Sequence, residues 1–577
     1  MSAQSPLSIL FPFQEEVTYQ PMPESAWHDL GLDVLSEKVA GQPQEVPLIR
    51  RVMTSLTADP RVSAYRADVF EDLIRHPDVR NRLMKLLEQV KTFYDYGMVN
   101  RHGERDGIWD LLHRLEEYHD YIVAVEEIRS CLSDANLSSD GLRGLKETVD
   151  AIYAGNGFAA LKQDVEEMRT SASQVQSLTL GINLNDRFEA VSMGLITVNS
   201  KPFTFSGLLK HFISAVNPRD EIHREADWNG SYSAYAATPG GALGAGLDRI
   251  SHTAAVMRNP ILGLSLASIP KDDGSAGVPR QMDSAASMLV SRMTRKLKAT
   301  LAKYINVSVK EISDLIPELV FYTRWAEYLS VLMEKGWRFC KPRTLNKTGT
   351  QGEAEARTEA RMEAREFYNL KLIGAEPPEK VVLNDLSFDT EKRIYVLTGA
   401  NRGGKTTVTQ AVGQLFLLAQ SGVFVPAASF AFDPANQVLT HFPADEDKTL
   451  DLGRLGEECR RFKDLYSLAT ENSLVLLNET FSTTSFEEGY YIAVDSVRAL
   501  LKKHLRGIYN THMHKLARDL DTVVNDPAVP GKAVSLVSET IDGKHSFRVR
   551  IAPPEGKSFA RDIAEKYGVT YEALTAE

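Results

Sequence analysis

The stretch RIYVLTGANRGGKTTVTQAVGQLFLLAQ, Arg393 to Gln420, decides the fold class of this chain. Ile394 to Leu397 form a short apolar run, glycines interrupt it, and the residues after Thr406 return to apolar positions at helical spacing. A strand that passes through a glycine-rich turn into a helix is the opening unit of a parallel α/β domain. The turn itself, Gly399-Ala400-Asn401-Arg402-Gly403-Gly404-Lys405-Thr406, satisfies G-x-x-x-x-G-K-[ST]. Glycines in that pattern let successive backbone N–H groups turn inward around phosphates, and the helix adds its positive end. Lys405 is then expected to reach the β- and γ-phosphates and the Thr406 hydroxyl to ligate Mg²⁺, so Gly399 through Thr407 are the candidate contacts for ATP. A mere glycine-rich turn with an exposed lysine would not need a strand before it and a helix after it.

Downstream, short apolar runs alternate with helical patterns. NSLVLLNE reads as a strand, YYIAVDSVRALLKKH as a helix and RGIYNTH as another strand, which is the pattern of parallel strands with helical crossovers. The strand Leu474–Leu477 delivers Asn478 and Glu479 to the sheet edge where doubly wound sheets bind ligands. Glu479 is the candidate for orienting or deprotonating an attacking water. Asn478 stands where such a strand usually offers an aspartate. Its amide oxygen can hydrogen-bond a magnesium-bound water but brings no charge, so a weakened magnesium shell and slow hydrolysis are expected. His512, at the end of the next strand, is placed to sense the γ-phosphate. His512 and His514 share one face of an extended segment, but two histidines without a carboxylate or cysteine cluster make a poor metal site.

Upstream, NRLMKLLEQVKTFYDY and GIWDLLHRLEEYHDYIVAVEEIRSCL space their apolar residues by three and four, which predicts long amphipathic helices. SLTLGINLNDRFEAVSMGLITVNS, Ser177 to Ser200, reads as two strands around an Asn-Asp turn. GTQGEAEARTEARMEAREF alternates charge and alanine without an apolar stripe and reads as a linker or solvated helix. The expected organisation is a mostly helical core or lever region with a small β element over residues 1–340, a charged linker over 341–365, and a nucleotide-binding domain over 366–577.

Composition bounds the rest. Three scattered cysteines, Cys131, Cys340 and Cys459, cannot build a disulfide framework or a four-ligand zinc site, which fits a reducing cytosol. The start MSAQSPLSILFPF has no basic region before its apolar part, and no apolar run approaches membrane-spanning length, so a cytoplasmic protein without a membrane partner is expected. A net charge of −11 argues against a surface that coats nucleic acid throughout. One acid-free segment, SRMTRKLKATLAKYINVSVK, concentrates Arg292, Arg295, Lys296 and Lys298. It is either the solvated basic face of a helix or a local DNA contact.

Taken together, VLTGANRGGKTT…LLAQSGVFVPA, LGRLGEECRRFKDLYSLATENSLVLLNET, STTS, NTHMHKL and SFRVRIAPPEGKSFARDIAEKYGV resemble the ATPase domain of the MutS family over residues 366–577. LTADPRVSAYRADVFEDLI and LGINLNDRF are fainter echoes of that family's helical core. The resemblance implies an ABC-type P-loop ATPase fold, ATP and Mg²⁺ as cofactors, duplex or branched DNA as partner, and a homodimeric clamp with composite ATP sites in repair or recombination. It also implies Gly453 and Glu457 as contacts made in trans to a second subunit, and Tyr368 or Asn384 as adenine contacts. The family's mismatch-wedging domain has no counterpart, since FQE at Phe13 to Glu15 lacks its surroundings, and no appended Smr nuclease domain follows YEALTAE. Mismatch recognition and DNA cleavage are therefore not expected. Other readings are an ABC- or SMC-type ATPase, which would need an LSGGQ signature or heptad arms, and a nucleotide-gated protein scaffold.

Overall fold

The computed structural model describes residues 8–90, 108–172, 177–184, 186, 190–199, 235–236, 298–304, 309–345, 361–400, 403–443, 453–529, 531–541, 544–554 and 568–575. Asn401, Arg402, Arg292, Arg295 and Lys296 lie outside the described residues. The contacts divide the chain into two compact units, one drawn from 1–88, 127–149 and 314–577, the other from 89–126 and 150–313.

The first unit opens with α1 (Glu24–Asp29), α2 (Pro60–Arg75) and α3 (Pro77–Gln89). The start of α2 is written in its sequence: the Asp59 side chain accepts from the Arg61 N–H, Pro60 takes the first helical position, and Pro77 follows just past its end. Its inner face buries Val62, Val69, Phe70 and Leu73. Helix α4 (Ile108–Ser133), the second unit's up to residue 126 and the first unit's from 127, buries Leu111, Leu115, Tyr118, Ile122 and Val125 at the predicted spacing. Helix α5 (Asp140–Ala154) belongs mostly to the first unit, and α6 (Asn156–Ala172) to the second. The expected hairpin is present as β1 (Ser177–Leu184) and β2 (Ala190–Asn199), paired antiparallel. Back in the first unit, α7 (Leu315–Glu334) buries Phe321, Tyr322 and Trp325 and packs on α2.

The longer elements that follow are β3 (Met362–Phe367), β4 (Asn384–Phe388), β5 (Lys392–Thr398), α8 (Lys405–Gln420), β6 (Ser429–Phe432), β7 (Val438–His441), α9 (Gly453–Leu468), β8 (Leu474–Asn478), α10 (Phe486–Lys502), β9 (Arg506–Asn510), β10 (Lys532–Ile541) and β11 (Lys544–Ile551). Strand β3 differs from the expected linker or solvated helix. Met362 and Ala364 are fully buried while Glu363 and Arg365 point away, the period-2 pattern of a strand, and β3 pairs antiparallel with β6 and β4. A register shift at Glu366, whose φ is +50°, turns Phe367 inward.

The central sheet runs β7-β8-β9-β5-β10-β11, parallel except for the last pair. Both faces are covered, which is why its strands read as unbroken apolar runs. Ile394, Val396, Val475 and Leu477 meet α9 and α10 on one face, and α8 packs on β8 and β9. Arg506, 2% exposed, joins this sheet to the smaller one by donating to the carbonyls of Arg361, Asp433 and Pro434 at 3.1, 2.8 and 3.3 Å. Burial, and after it the nearby Arg361 and Arg393 charges, lower its pKa to about 10 despite the pull of Asp433.

The compact units cut across the linear segments 1–340, 341–365 and 366–577. The reason lies in α8, whose buried polar groups are satisfied by the N-terminal segment. Gln410 donates to the Asp29 carbonyl at 2.6 Å and Gln414 to the Leu30 carbonyl at 2.9 Å. At the helix end, fully buried Arg66 donates to the Gln420 carbonyl at 2.8 Å. A buried helix end needs such a partner.

Candidate nucleotide site

Three strands, β5, β8 and β9, lie side by side and end at one edge of the sheet. Strand β5 feeds the glycine-rich loop, whose Gly399 has φ +143°. A β-carbon there would lie 2.8 Å from the Ser538 side chain and 3.0 Å from its carbonyl, so only glycine fits. From β10, the Ser538 hydroxyl donates to the Gly403 carbonyl and braces the loop from the other side. Lys405 opens α8 and is 5% exposed. Its ammonium donates to the Gly399 and Ala400 carbonyls at 3.1 and 3.0 Å. Burial lowers its pKa, opposed by the charge of Glu479.

One turn into the site, the Thr406 hydroxyl donates to Asn478 Oδ1 at 3.1 Å. The same oxygen accepts a hydrogen bond from Asn510 Nδ2, which also lies 3.4 Å from Thr406 Oγ1. Hydroxyl and amide oxygens are hard donors that suit Mg²⁺. The Thr406–Asn478–Asn510 cluster thus fits that ion by chemistry while bringing no charge. Among the described residues no group of three His, Cys, Asp or Glu side chains is placed to hold a metal ion.

Glu479 follows at φ +53°, a left-handed conformation that a non-glycine residue adopts at a cost of order 1–3 kcal/mol. Its N–H is fixed by the Asn510 carbonyl at 2.8 Å, and its carboxylate accepts from His512 Nε2 at 2.8 Å. Both side chains are partly exposed. His514 sits in the short helix beyond, its pKa lowered by burial and then by His512, Lys405 and Arg518.

The turn after Glu479 is anchored from β7. His441 is 2% exposed, with Nδ1 3.0 Å from Thr480 Oγ1 and Nε2 3.2 Å from the Glu458 carbonyl of α9. A carbonyl only accepts, so Nε2 carries the proton and Nδ1 accepts from the threonine hydroxyl. Burial, then the Arg461 charge, push the His441 pKa down to about 4. The unfolded chain titrates near 6.5, so as pH falls from there the unfolded state takes up a proton that the folded state refuses. Stability is therefore expected to drop between pH 6.5 and pH 4, by about 3 kcal/mol in full. Urea unfolding across that window should show a flatter pH slope for His441→Gln than for the parent. An equal slope would move the effect to another group.

The remaining candidates are held by other contacts. Tyr368 is buried, and its hydroxyl donates to the Arg338 carbonyl at 2.9 Å. The Asn384 amide spans β11, donating to the Phe547 carbonyl at 3.2 Å and accepting from the Val549 N–H at 2.8 Å. It thereby holds Phe547, whose ring would come within 3.3 Å of a β-carbon on Gly404 and so borders the loop. Gly453 opens α9, and Glu457 is half-buried on the same helix. Lys298 is exposed on the helical segment 298–302. Phe13 packs edge-on to Tyr65 at 5.9 Å and lies beneath Arg61.

Two family models match the chain: MutS domain V over residues 395–570, which contains the cluster, and MutS2 N-terminal domain over residues 58–334. The chain belongs to the MutS family. It is 29% identical over 193 residues to an Endonuclease MutS2 of Lactiplantibacillus plantarum, covering 33% of this chain and 24% of that protein. It is 26% identical over 318 residues to an Endonuclease MutS2 of Shouchella clausii, covering 53% and 37% respectively. A DNA mismatch repair protein MutS of Chlorobium chlorochromatii is 29% identical over 211 residues, 36% of this chain and 23% of that protein. The matched parts thus span well under half of those relatives. In this MutS-family chain, sequence reasoning missed Asn510, Thr480, His441 and Ser538. Only the spacing of Asn510 one residue before Thr511-His512, at the end of a strand neighbouring Asn478, could have flagged it. The other three depend on contacts between distant segments. No described helix is long and apolar enough to cross a membrane.

Proposed function

We propose that this chain binds and slowly hydrolyses ATP with Mg²⁺ and uses the nucleotide to gate a dimeric clamp on DNA in repair or recombination. The observation that carries the reading is the convergence at one sheet edge of the glycine loop with Lys405, the Thr406–Asn478 hydrogen bond and the Glu479–His512 pair. Thr406 and, through a water, Asn478 are the residues that would hold magnesium, which would supply positive charge against the phosphates. Lys405 exchanges its two loop carbonyls for phosphate oxygens. Glu479 holds the attacking water and takes its proton, and His512 keeps the carboxylate in place. Of the described loop residues, Thr407 would add a further contact. Gly453 and Glu457 of a second copy would approach in trans, and Lys298 with its neighbours would meet DNA phosphates. Binding through such contacts is salt-dependent.

Lys405→Ala is expected to weaken nucleotide binding by about tenfold to a hundredfold, the worth of a charge-assisted contact, as read by titration with a fluorescent ATP analogue. Unchanged affinity would remove the loop from the site. The DNA half of the reading is tested by binding to mismatched, branched and plain duplexes across salt and nucleotide states. Salt-sensitive, nucleotide-dependent binding is expected. No binding in any state would favour a nucleotide-gated protein scaffold instead.

A further inference from the structure

Building on the nucleotide reading above, we infer that Asn510 is a positioning residue that turns the Asn478 amide so that its oxygen faces Thr406, making two neutral amides stand in for one carboxylate. A carboxylate presents oxygen whichever way it rotates. An asparagine does not: one side of its amide accepts and the other donates. With the NH₂ turned inward, Asn478 could accept neither the Thr406 proton nor a proton from a metal-bound water, and its partial positive charge would oppose a cation. Thr406 cannot choose between the two orientations, because a hydroxyl both donates and accepts.

Asn510 can choose. It ends β9 directly beside Asn478, its register partner on β8. It is fully buried, so water does not compete for its NH₂. That NH₂ faces both Asn478 Oδ1 and Thr406 Oγ1. Two NH₂ groups cannot face each other, so with its NH₂ on this side Asn510 requires the oxygen of Asn478 opposite it. The far oxygen of Asn510 is itself buried without a hydrogen-bond partner, a state that costs free energy. The backbone of Asn510 contributes separately by fixing the Glu479 N–H, and that bond survives any side-chain change.

The orientation argument makes a prediction that a structural role does not. Asn510→Ala should matter only while residue 478 is an amide. The test measures binding of a fluorescent ATP analogue, with and without Mg²⁺, to the full chain carrying Asn510→Ala, Asn478→Asp or both. Without Mg²⁺, Asn510→Ala is expected to bind the analogue as the parent does, and the double variant as Asn478→Asp alone does, the added carboxylate repelling the phosphates equally in both; matched pairs also report that each protein is folded. With Mg²⁺, Asn510→Ala alone should raise the Mg²⁺ concentration for half-maximal binding about fivefold to tenfold, the worth of one buried hydrogen bond. Asn478→Asp should lower that concentration below the parent's, and adding Asn510→Ala to it should change nothing further. An equal penalty from Asn510→Ala in both backgrounds, or no penalty in either, overturns the inference while leaving the nucleotide reading intact. A parent chain that binds no analogue with or without Mg²⁺ overturns both. Asn510→Ser, which keeps a small polar group but no obligate donor, should behave like Asn510→Ala. Full recovery with serine would likewise count against the orientation role.

Discussion

Glu479→Gln is expected to leave nucleotide binding unchanged and to lower ATP turnover by about 10²–10⁴-fold, the range for losing a positioned general base. Glutamine keeps the volume of the side chain and can still accept from His512 Nε2, which sits 2.8 Å from the carboxylate. What it loses is the capacity to take a proton from water. The backbone that aims residue 479, with φ +53° and its N–H tied to the Asn510 carbonyl, does not depend on the side-chain charge. Binding and chemistry therefore separate in this variant. Steady-state phosphate release alongside analogue titration reads both. Turnover equal to the parent's would take Glu479 out of the chemistry, and a parallel loss of binding would reassign it to holding the nucleotide.

Gly507→Ala is expected to be the most damaging single methyl group in the nucleotide-binding domain. Gly507 lies in β9 opposite Val475 of β8, and a β-carbon there would sit 1.9 Å from the Val475 carbonyl oxygen. That atom is backbone in the middle of a parallel sheet and cannot rotate away as a side chain could. Either the β8–β9 ladder opens or β9 shifts, and both outcomes misplace Asn478, Glu479, Asn510 and His512 together. A cost of about 3 kcal/mol or more follows, at the upper end for overpacked cores. Urea unfolding measures it. A variant that retained the parent's midpoint would mean that the two strands separate more easily than their hydrogen-bond register implies.

Much of the nucleotide-binding domain is legible because each of its elements obeys one period. β5, β8 and β9 are short apolar runs, and the helix pattern after the glycine loop matches α8. The pattern fails where burial is decided at long range. Strand β3 carries two acids and an arginine in six residues, MEAREF, and reads as solvated. It becomes a strand because neighbours on both sides cover Met362 and Ala364. The role of the N-terminal segment was equally hidden, since nothing local to Arg66 or Asp29 announces that their partners lie on α8, more than three hundred residues away. In the site, the loop and Glu479 carry a spacing that can be read in one dimension. Asn510 and His441 act by facing side chains from other strands, and facing is not a property of spacing.

The bond between Arg66 and Gln420 has a mechanical consequence. Helix α8 has sixteen residues, about 24 Å of stiff rod at 1.5 Å per residue, with the phosphate loop at one end and that arginine at the other. The Gln420 end cannot slide against its neighbour through a film of water, because Arg66 is buried and the Gln420 carbonyl is its partner. A tilt that started at the phosphates would pull the N-terminal helix α2 along or rupture a charged hydrogen bond in a dry interior. The two helices are thus tied at that end, and a movement of α8 relative to α2 would have to break or carry that bond.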